Sequence, residues 1–402
     1  MMKAALMFPE ITIAGTPYER GRMYGAAVPS RIRHSIASYA RLFAYRRALD
    51  WAASQAEALR FVPLLTEVAP DLLEEMRGLA DGAGVALAEI VALNVRTELM
   101  AGIPIGYYHP DGAAAMARNR AAGVPEHPDE QPLNLGMVAD APELDRDTGE
   151  CTTAAAYGPA TTDGRMLLAQ TWDWQGDQRA ACLMLRVHAP GEPAILTMTE
   201  AGMLAKVGLN SAGLVVGLNL LRSQSDGQHV GMPVHILLRK MLQATTFADA
   251  RALADHVPAG GSSCVTLATT TGQLVSLEIS PTGVAEVWAE DGLLAHANHC
   301  VDQTAAAGEC PLEATSTSRE RQGRAWELLR MGYGALDVLT LQAILRDRHE
   351  APRCICRLPD MRVPRLDRGE SICGLVLDPH NGVIYVAPDA PCQAAFTPVT
   401  LA

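Results

Sequence analysis

The spacing of apolar residues changes twice along the chain and divides it into three stretches. In the first, Pro70 sits where the first turn of a helix accepts it, and Leu72, Leu73, Met76, Leu79 and Ala80 share one face before Gly82 and Gly84. That spacing predicts a helix ending at the glycines. A second helix is predicted over 87–99, and strand-like sequence is confined to 11–14, so residues 1–100 are expected to be mainly helical. From 102 to 149 Pro, Gly, Ala and Asp dominate without sustained periodicity, which predicts an exposed linker over 101–150. Beyond 151, short apolar runs at 166–170, 182–187, 194–199 and 214–218 are separated by Gly, Pro and Asp turns and read as strands.

The helical spacing then returns briefly. Pro233 opens a helix carrying Val234, Leu237, Leu238, Met241 and Leu242, and a second is predicted over 247–256. A meander of hairpins follows at 264–268, 274–279, 284–288 and 293–297, joined by TTTGQ, SPTG and EDG turns. Two helices, over 319–331 and 340–348, precede final strands at 372–377 and 383–386. Strands, a helix pair, more strands and more helices predict an α+β fold of stacked sheets flanked by helices.

Composition narrows the function classes. With 49% hydrophobic and 19% charged residues, the 402-residue chain can bury a large core. A net charge of -12 and the lack of any Lys/Arg cluster speak against nucleic acid or an anionic membrane as partner and favour a small substrate. The apolar stretch 4–8 is short for a secretory signal and no segment reaches membrane-spanning length, so a cytoplasmic protein is expected. Nine cysteines spread over this length do not form a small secreted disulfide framework.

The junction at Cys151 carries the most chemistry. The linker ends in Asp147-Thr148-Gly149-Glu150, and Cys151-Thr152-Thr153 and a strand follow at once. A thiol there is placed to attack the carbonyl of Glu150. Hydrolysis of the resulting ester would leave an N-terminal Cys151 whose α-amine, of pKa about 7.7 to 8.0, can act as base to its own thiol. From spacing alone the residues favour a buried, inert thiol, since buried thiols are common.

The chain resembles the acyl-coenzyme A:isopenicillin N acyltransferase family of self-cleaving N-terminal-nucleophile hydrolases, relatives of the choloylglycine hydrolases. The resemblance rests on CTT at 151–153, QTWDW at 170–174, TEAG at 199–202, KVGLNSAGL at 206–214 and GMPVHILLR at 231–239. LEISPTG at 277–283, HANHC at 296–300, ICR at 355–357 and RGESICGLVLD at 368–378 continue it. GTPYERGRMYG at 15–25, EEMRGLADGAG at 74–84 and ALNVRTE at 92–98 match before the linker. It implies an αββα sandwich in which the helices of a short chain, 1–150, wrap the two sheets of a catalytic long chain, 151–402.

The resemblance also implies roles. Cys151 would be nucleophile and base, Asp173 would hold its amine, Asn298 would donate to the oxyanion, and Arg368 would place a positive charge beside the thiol. Glu150 would carry the scissile carbonyl, and Thr152, Thr153 and Ser280 would assist processing. No cofactor is implied, with acyl-coenzyme A a candidate co-substrate; the substrate would be a small acyl amide or acyl thioester. The sequence departs from the family where Glu150 replaces an expected Gly and Asp367 replaces the Ser expected before Arg368. Two rival readings use other residues: a papain-like hydrolase pairing Cys151 with His299 and leaving the chain whole, and a zinc shell drawn from His296, His299, Cys300, Cys354 and Cys356.

Overall fold

The computed structural model describes residues 7–101, 109–125, 151–312, 316–363 and 365–402. Among these, one strand precedes Cys151, namely β1 (Glu10–Ala14). After Cys151 come β2 (Thr153–Gly158), β3 (Gly164–Gln175), β4 (Cys182–His188), β5 (Ile195–Glu200), β6 (Val207–Asn210) and β7 (Leu214–Leu220). The helix pair Val234–Gln243 and Phe247–His256 leads to β8 (Ser263–Thr269), β9 (Leu274–Ser280), β10 (Gly283–Trp288) and β11 (Leu293–His296). Helices Ser318–Met331 and Val338–Leu345 then precede β12 (Gly369–Asp378), β13 (Val383–Ala387) and β14 (Thr397–Thr400).

Eight strands form one sheet in the order β1-β4-β5-β6-β7-β8-β9-β10, and six form a second in the order β11-β2-β3-β12-β13-β14. Every named neighbour pair is antiparallel except β1 with β4. The two-residue period of a strand decides what lies on each face of the second sheet. Ala155, Met166 and Leu168 enter the core between the sheets. Ala154, Ala156, Leu167 and Ala169 point the other way, against Ala325, Leu329, Leu341 and Leu345 of the helices Ser318–Met331 and Val338–Leu345. Small alanines on β2 let that helix layer approach closely. On the far side, helices Val234–Gln243 and Phe247–His256 cover β6, β7 and β8. The fold is therefore the expected αββα sandwich.

The stretch before the linker joins the same core. Helix Pro17–Ala27, started by a Thr16–Glu19 capping box, crosses helix Pro70–Ala83 where glycines face backbone: a Cβ at Gly21 would stand 1.9 Å from the Glu75 carbonyl oxygen, and one at Gly78 2.0 Å from that of Tyr18. Glu75, fully buried there, takes Arg20 at 2.8 Å and Arg239 at 3.0 Å, tying the crossing to helix Val234–Gln243.

Two sequence expectations need correction. The helix predicted over 87–99 is two pieces, Leu87–Asn94 and the single turn Arg96–Leu99. Val95 leaves helical geometry at φ -109°, ψ 19°, while the Asn94 side chain bonds the Gly202 carbonyl and the Leu204 N–H. The stretch read as linker contains a helix, Gly112–Ala121. Its buried Ala115 and Met116 pack on Ala44, Tyr45 and Leu366, a footprint too small to show as periodicity. Glu150 lies outside the described residues. Among those described, no helix is long and apolar enough to cross a membrane.

Candidate active site

Cys151 lies two residues before β2, which belongs to the inner layers of the sandwich, and is 2% exposed. Its two backbone polar groups are clamped from opposite sides. The nitrogen donates to Asn298 Oδ1 at 2.6 Å, and the carbonyl oxygen accepts from Asn219 Nδ2 at 2.9 Å and Arg321 Nη1 at 2.8 Å. Asn219 ends β7, Asn298 follows β11, and Arg321 comes from helix Ser318–Met331. Both sheets and the outer helix layer thus converge on one residue.

The neighbours of Cys151 extend the clamp. Thr152 Oγ1 accepts from Arg321 Nη1 at 2.8 Å, and Thr153 Oγ1 donates to Asn219 Oδ1 at 2.7 Å. Arg321 Nη2 also reaches Asn298 Oδ1 at 3.1 Å, while Asn298 Nδ2 donates to the Leu220 carbonyl at 2.9 Å. Asn298 therefore offers its oxygen to the Cys151 nitrogen, and one N–H of its amide is committed to Leu220.

A cavity opens on the side-chain face, where Cys151 meets Asp173, Trp172, Trp174 and, from before the linker, Arg96 and Thr97. The Asp173 carboxylate is fully buried and accepts from Ser371 Oγ at 2.7 Å; Ser371 Oγ in turn accepts from the Arg357 N–H at 3.0 Å. Burial, with the charge of Asp173 beside it, pushes the Cys151 thiol up to about 12, against weaker opposing pulls from the Asp173 N–H, Arg321 and Lys206. Lys206 stands behind the cavity wall, 3.3 Å from the centroid of Trp172 and 2.6 Å from Glu200 Oε1. Burial, reinforced by Arg96, draws its ammonium down to about 7 in spite of Glu200.

Four of the expected residues, Cys151, Thr152, Thr153 and Asn298, meet in this clamp, and Asp173 shares the cavity. Two expected residues are placed elsewhere. The Arg368 guanidinium donates to the carbonyls of Asp360, Met361 and Val363 and holds that loop; the cation bonded to the Cys151 backbone is Arg321. Asp367, before it, accepts from Tyr45 at 2.7 Å and pairs with Arg46 at 3.2 Å, so the departure from Ser serves the contact with helix Pro29–Arg47. Ser280 sits in the exposed β9–β10 turn, bonded to Thr282 and Gly283.

The rival constellations are not assembled. His299 Nδ1 meets Ser318 Oγ at 2.7 Å, and burial, with the charges of His296, Arg319 and Arg321, draws it down to about 4. Among the described residues no three His, Cys, Asp or Glu side chains converge as a metal shell. His296 instead pairs with Glu278 at 2.8 Å inside the core.

Asn219, Arg321, Arg96 and Ser371 were not singled out by sequence reasoning. Arg96, Lys206 and Ser371 fall inside the quoted ALNVRTE, KVGLNSAGL and RGESICGLVLD segments as polar residues in apolar surroundings. Arg321 lies in SRERQGR with two other arginines, Arg319 and Arg324, and no local signal separates it from them.

Comparison with known proteins bears on the family of the chain. Residues 160–393 match the family model for acyl-coenzyme A:6-aminopenicillanic acid acyl-transferase, a segment that begins just after Cys151. The acyl-coenzyme A:6-aminopenicillanic-acid-acyltransferase 40 kDa form of Emericella nidulans is 27% identical over 351 residues, covering 86% of this chain and 84% of the relative. Among solved structures, a variant of conjugated bile acid hydrolase from Clostridium perfringens aligns with a TM-score of 0.42 at 11% identity, covering 62% of this chain and 92% of the other. Penicillin V acylase from Agrobacterium tumefaciens aligns at 0.41 and 12%, covering 62% and 84%. With more than half of its length inside the family model and its order of segments shared with a curated relative, the chain belongs to the acyl-coenzyme A:6-aminopenicillanic acid acyl-transferase family.

Proposed function

We propose that Cys151 is the nucleophile of a self-cleaving acyltransferase or amidohydrolase that acts on small N-acyl amides or acyl thioesters. The observation that carries this reading is the clamp: a buried thiol faces a cavity while its own nitrogen and carbonyl are fixed by Asn298, Asn219 and Arg321.

In the first stage the Cys151 sulfur adds to the Glu150 carbonyl carbon. The bond from that carbon to the Cys151 nitrogen breaks, giving a thioester and a free α-amine, and water then releases the Glu150 carboxyl and restores the thiol. Asn298 Oδ1, which accepts from the Cys151 nitrogen, holds the amine as it forms. In the second stage that amine takes the thiol proton, the sulfur attacks the substrate acyl carbon, and the proton passes to the leaving amine. Water or a second amine then takes the acyl group from sulfur. The short chain 1–150 stays bound after the cut, since β1 pairs with β4 and Tyr24 bonds the Glu200 and Met203 carbonyls in the core.

Intact mass under denaturing conditions tests the first stage. Wild-type protein should give chains 1–150 and 151–402, and Cys151→Ala a single chain. A wild-type chain that stays whole on long incubation, with no N-terminal Cys by sequencing, defeats the proposal. For the second stage, mature protein is mixed with acyl-coenzyme A thioesters and N-acyl amino acids, acid-quenched and weighed. An acyl adduct on the Cys151 peptide is expected; turnover unaffected by alkylation of Cys151 would place the chemistry elsewhere.

A further inference from the structure

Arg96 is a cation without an acid. It is 4% exposed and lines the cavity beside Cys151, yet among the described residues no carboxylate pairs with its guanidinium and no hydrogen bond holds it. What surrounds it is aromatic: the Trp174 centroid lies 4.7 Å from its Cζ, that of Tyr39 5.4 Å and that of Trp172 5.6 Å. Ring faces attract a guanidinium but accept none of its in-plane N–H bonds. The acid nearest in function, Glu200, is taken by Lys206 at 2.6 Å and by the Tyr39 hydroxyl at 2.6 Å. Glu98, two residues on, spends one carboxyl oxygen on the Val234 N–H at 2.8 Å.

The imbalance extends to the adjoining wall. Arg96 Nε, Trp172 Nε1 and Trp174 Nε1 are all buried donors without an acceptor, and all three residues line the same cavity. Buried N–H groups are nearly always satisfied, and a buried charge is retained against a large desolvation penalty. The cavity is lined by one cation, by the Asp173 carboxylate, which accepts from Ser371 Oγ at 2.7 Å, and by several unsatisfied donors, and the donors around Arg96 fit a ligand that brings acceptors and a negative charge. The planar fork of Arg matches a carboxylate with two parallel bonds.

We propose that Arg96 is the charge-selecting residue of this site and binds a carboxylate carried by the substrate, which makes the substrate class an anionic acyl amide or acyl thioester. The inference rests on Cys151 being the nucleophile. Because Arg96 precedes the linker, it also gives the short chain a direct part in substrate choice. The flanking rings pack around the guanidinium, so the cation is positioned before the ligand arrives.

The test uses one substrate pair, N-hexanoylglycine and its primary amide, which share acyl group and scissile bond and differ in charge. Mature wild-type enzyme should show kcat/KM at least about tenfold higher for the acid. Arg96→Met should lower the acid far more than the amide and so bring the two kcat/KM values together. Arg96→Lys, which keeps the charge and loses the fork, should retain part of the preference. Equal wild-type rates on the two compounds, or a preference that survives in Arg96→Met, overturns the inference while turnover itself upholds the nucleophile. A preference confined to acyl-coenzyme A over a short acyl thioester lacking phosphates would also overturn it, by placing the anion on phosphate. Failure of the nucleophile reads differently: neither compound is turned over and no adduct forms on Cys151. Tryptophan emission titrated with the pair then decides the carboxylate site alone. A response to the acid, absent with the amide and in Arg96→Met, sustains it, and no response to either removes it.

Discussion

Replacing Glu98 by Gln should make the protein more stable above pH 7 and leave it unchanged near pH 4. Glu98 is 6% exposed; one oxygen accepts from the Val234 N–H at 2.8 Å and the other, Oε2, has no hydrogen-bond partner. Burial pushes its carboxyl from an ordinary 4.5 up to about 7, with the Val234 N–H and Arg96 pulling the other way and Asp226 adding to the rise. The folded chain therefore keeps a proton between those two values that the unfolded chain has lost. The contribution is fully present below pH 4.5 and is lost as pH rises through about 7. At about 1.4 kcal/mol for each pH unit separating the two, the loss is about 3 kcal/mol. Gln keeps the shape and the acceptor for Val234 and never ionises. Urea midpoints of Glu98→Gln and its parent, both carrying Cys151→Ala so that a single chain unfolds, are compared from pH 4 to 8.5. The stability difference should open with rising pH in favour of Gln. A difference that is flat with pH, or one that favours Glu at pH 8, would show that Glu98 is an ordinary ionised carboxylate.

Arg321→Met removes the donor to the Cys151 carbonyl, Thr152 Oγ1 and Asn298 Oδ1 in the core; a loss of about 3 kcal/mol by thermal melting and a slowed cut by mass are expected. Unchanged cleavage would show that the clamp does not position Cys151. Gly21→Ala drives a methyl to 1.9 Å from the Glu75 carbonyl and should cost about 3 kcal/mol or more, seen as a lower melting temperature or insoluble protein. Gly323→Ala lies within helix Ser318–Met331, exposed, with nothing within 4 Å of an added Cβ, and should raise stability by about 0.5–1 kcal/mol.

The sheets were legible as short apolar runs separated by Gly, Pro and Asp turns, the mark of strands buried on both faces such as β5 and β8. β2 is TAAAYG and almost wholly buried, but its small side chains make a weak apolar run, so the adjacent CTT motif rather than pattern marks it. The break at Val95 was hidden because Asn94 is held by Gly202 and Leu204, more than a hundred positions away. Among the residues that the clamp joins, Cys151 carries a local signature at the end of the linker and stands out in the sequence. Arg321 does not: its value lies in reaching three atoms of a distant strand and loop from a helix whose other arginines look the same. The resemblance points to Arg368 for the cation, and the fold instead has Arg368 bonded to the Asp360 and Val363 carbonyls and Arg321 bonded to that of Cys151.

The clamp also bears on where a base can come from. A thiol pushed up to about 12 cannot ionise appreciably at neutral pH without a proton acceptor beside it. His299, the ring nearest in sequence to Asn298, is bonded to Ser318 and drawn down to about 4, so it neither faces the cavity nor holds a proton at neutral pH. Asp173 is fully buried and takes the Ser371 hydroxyl, and its charge raises the thiol further rather than easing ionisation. The atom fixed beside the sulfur is the Cys151 nitrogen, 2.6 Å from Asn298 Oδ1. As an amide that nitrogen has no lone pair to offer, and as an α-amine of pKa about 7.7 to 8.0 it does. Under the proposed reading, full activation of this thiol toward an external substrate follows the cut at 150–151, the cut itself being a slow intramolecular attack on the adjoining carbonyl, and the uncut chain should be slow to react with iodoacetamide at Cys151 at pH 7. Peptide mapping of the alkylated protein before and after cleavage measures this. Equal labelling in both forms would mean that a base other than the new amine serves the thiol.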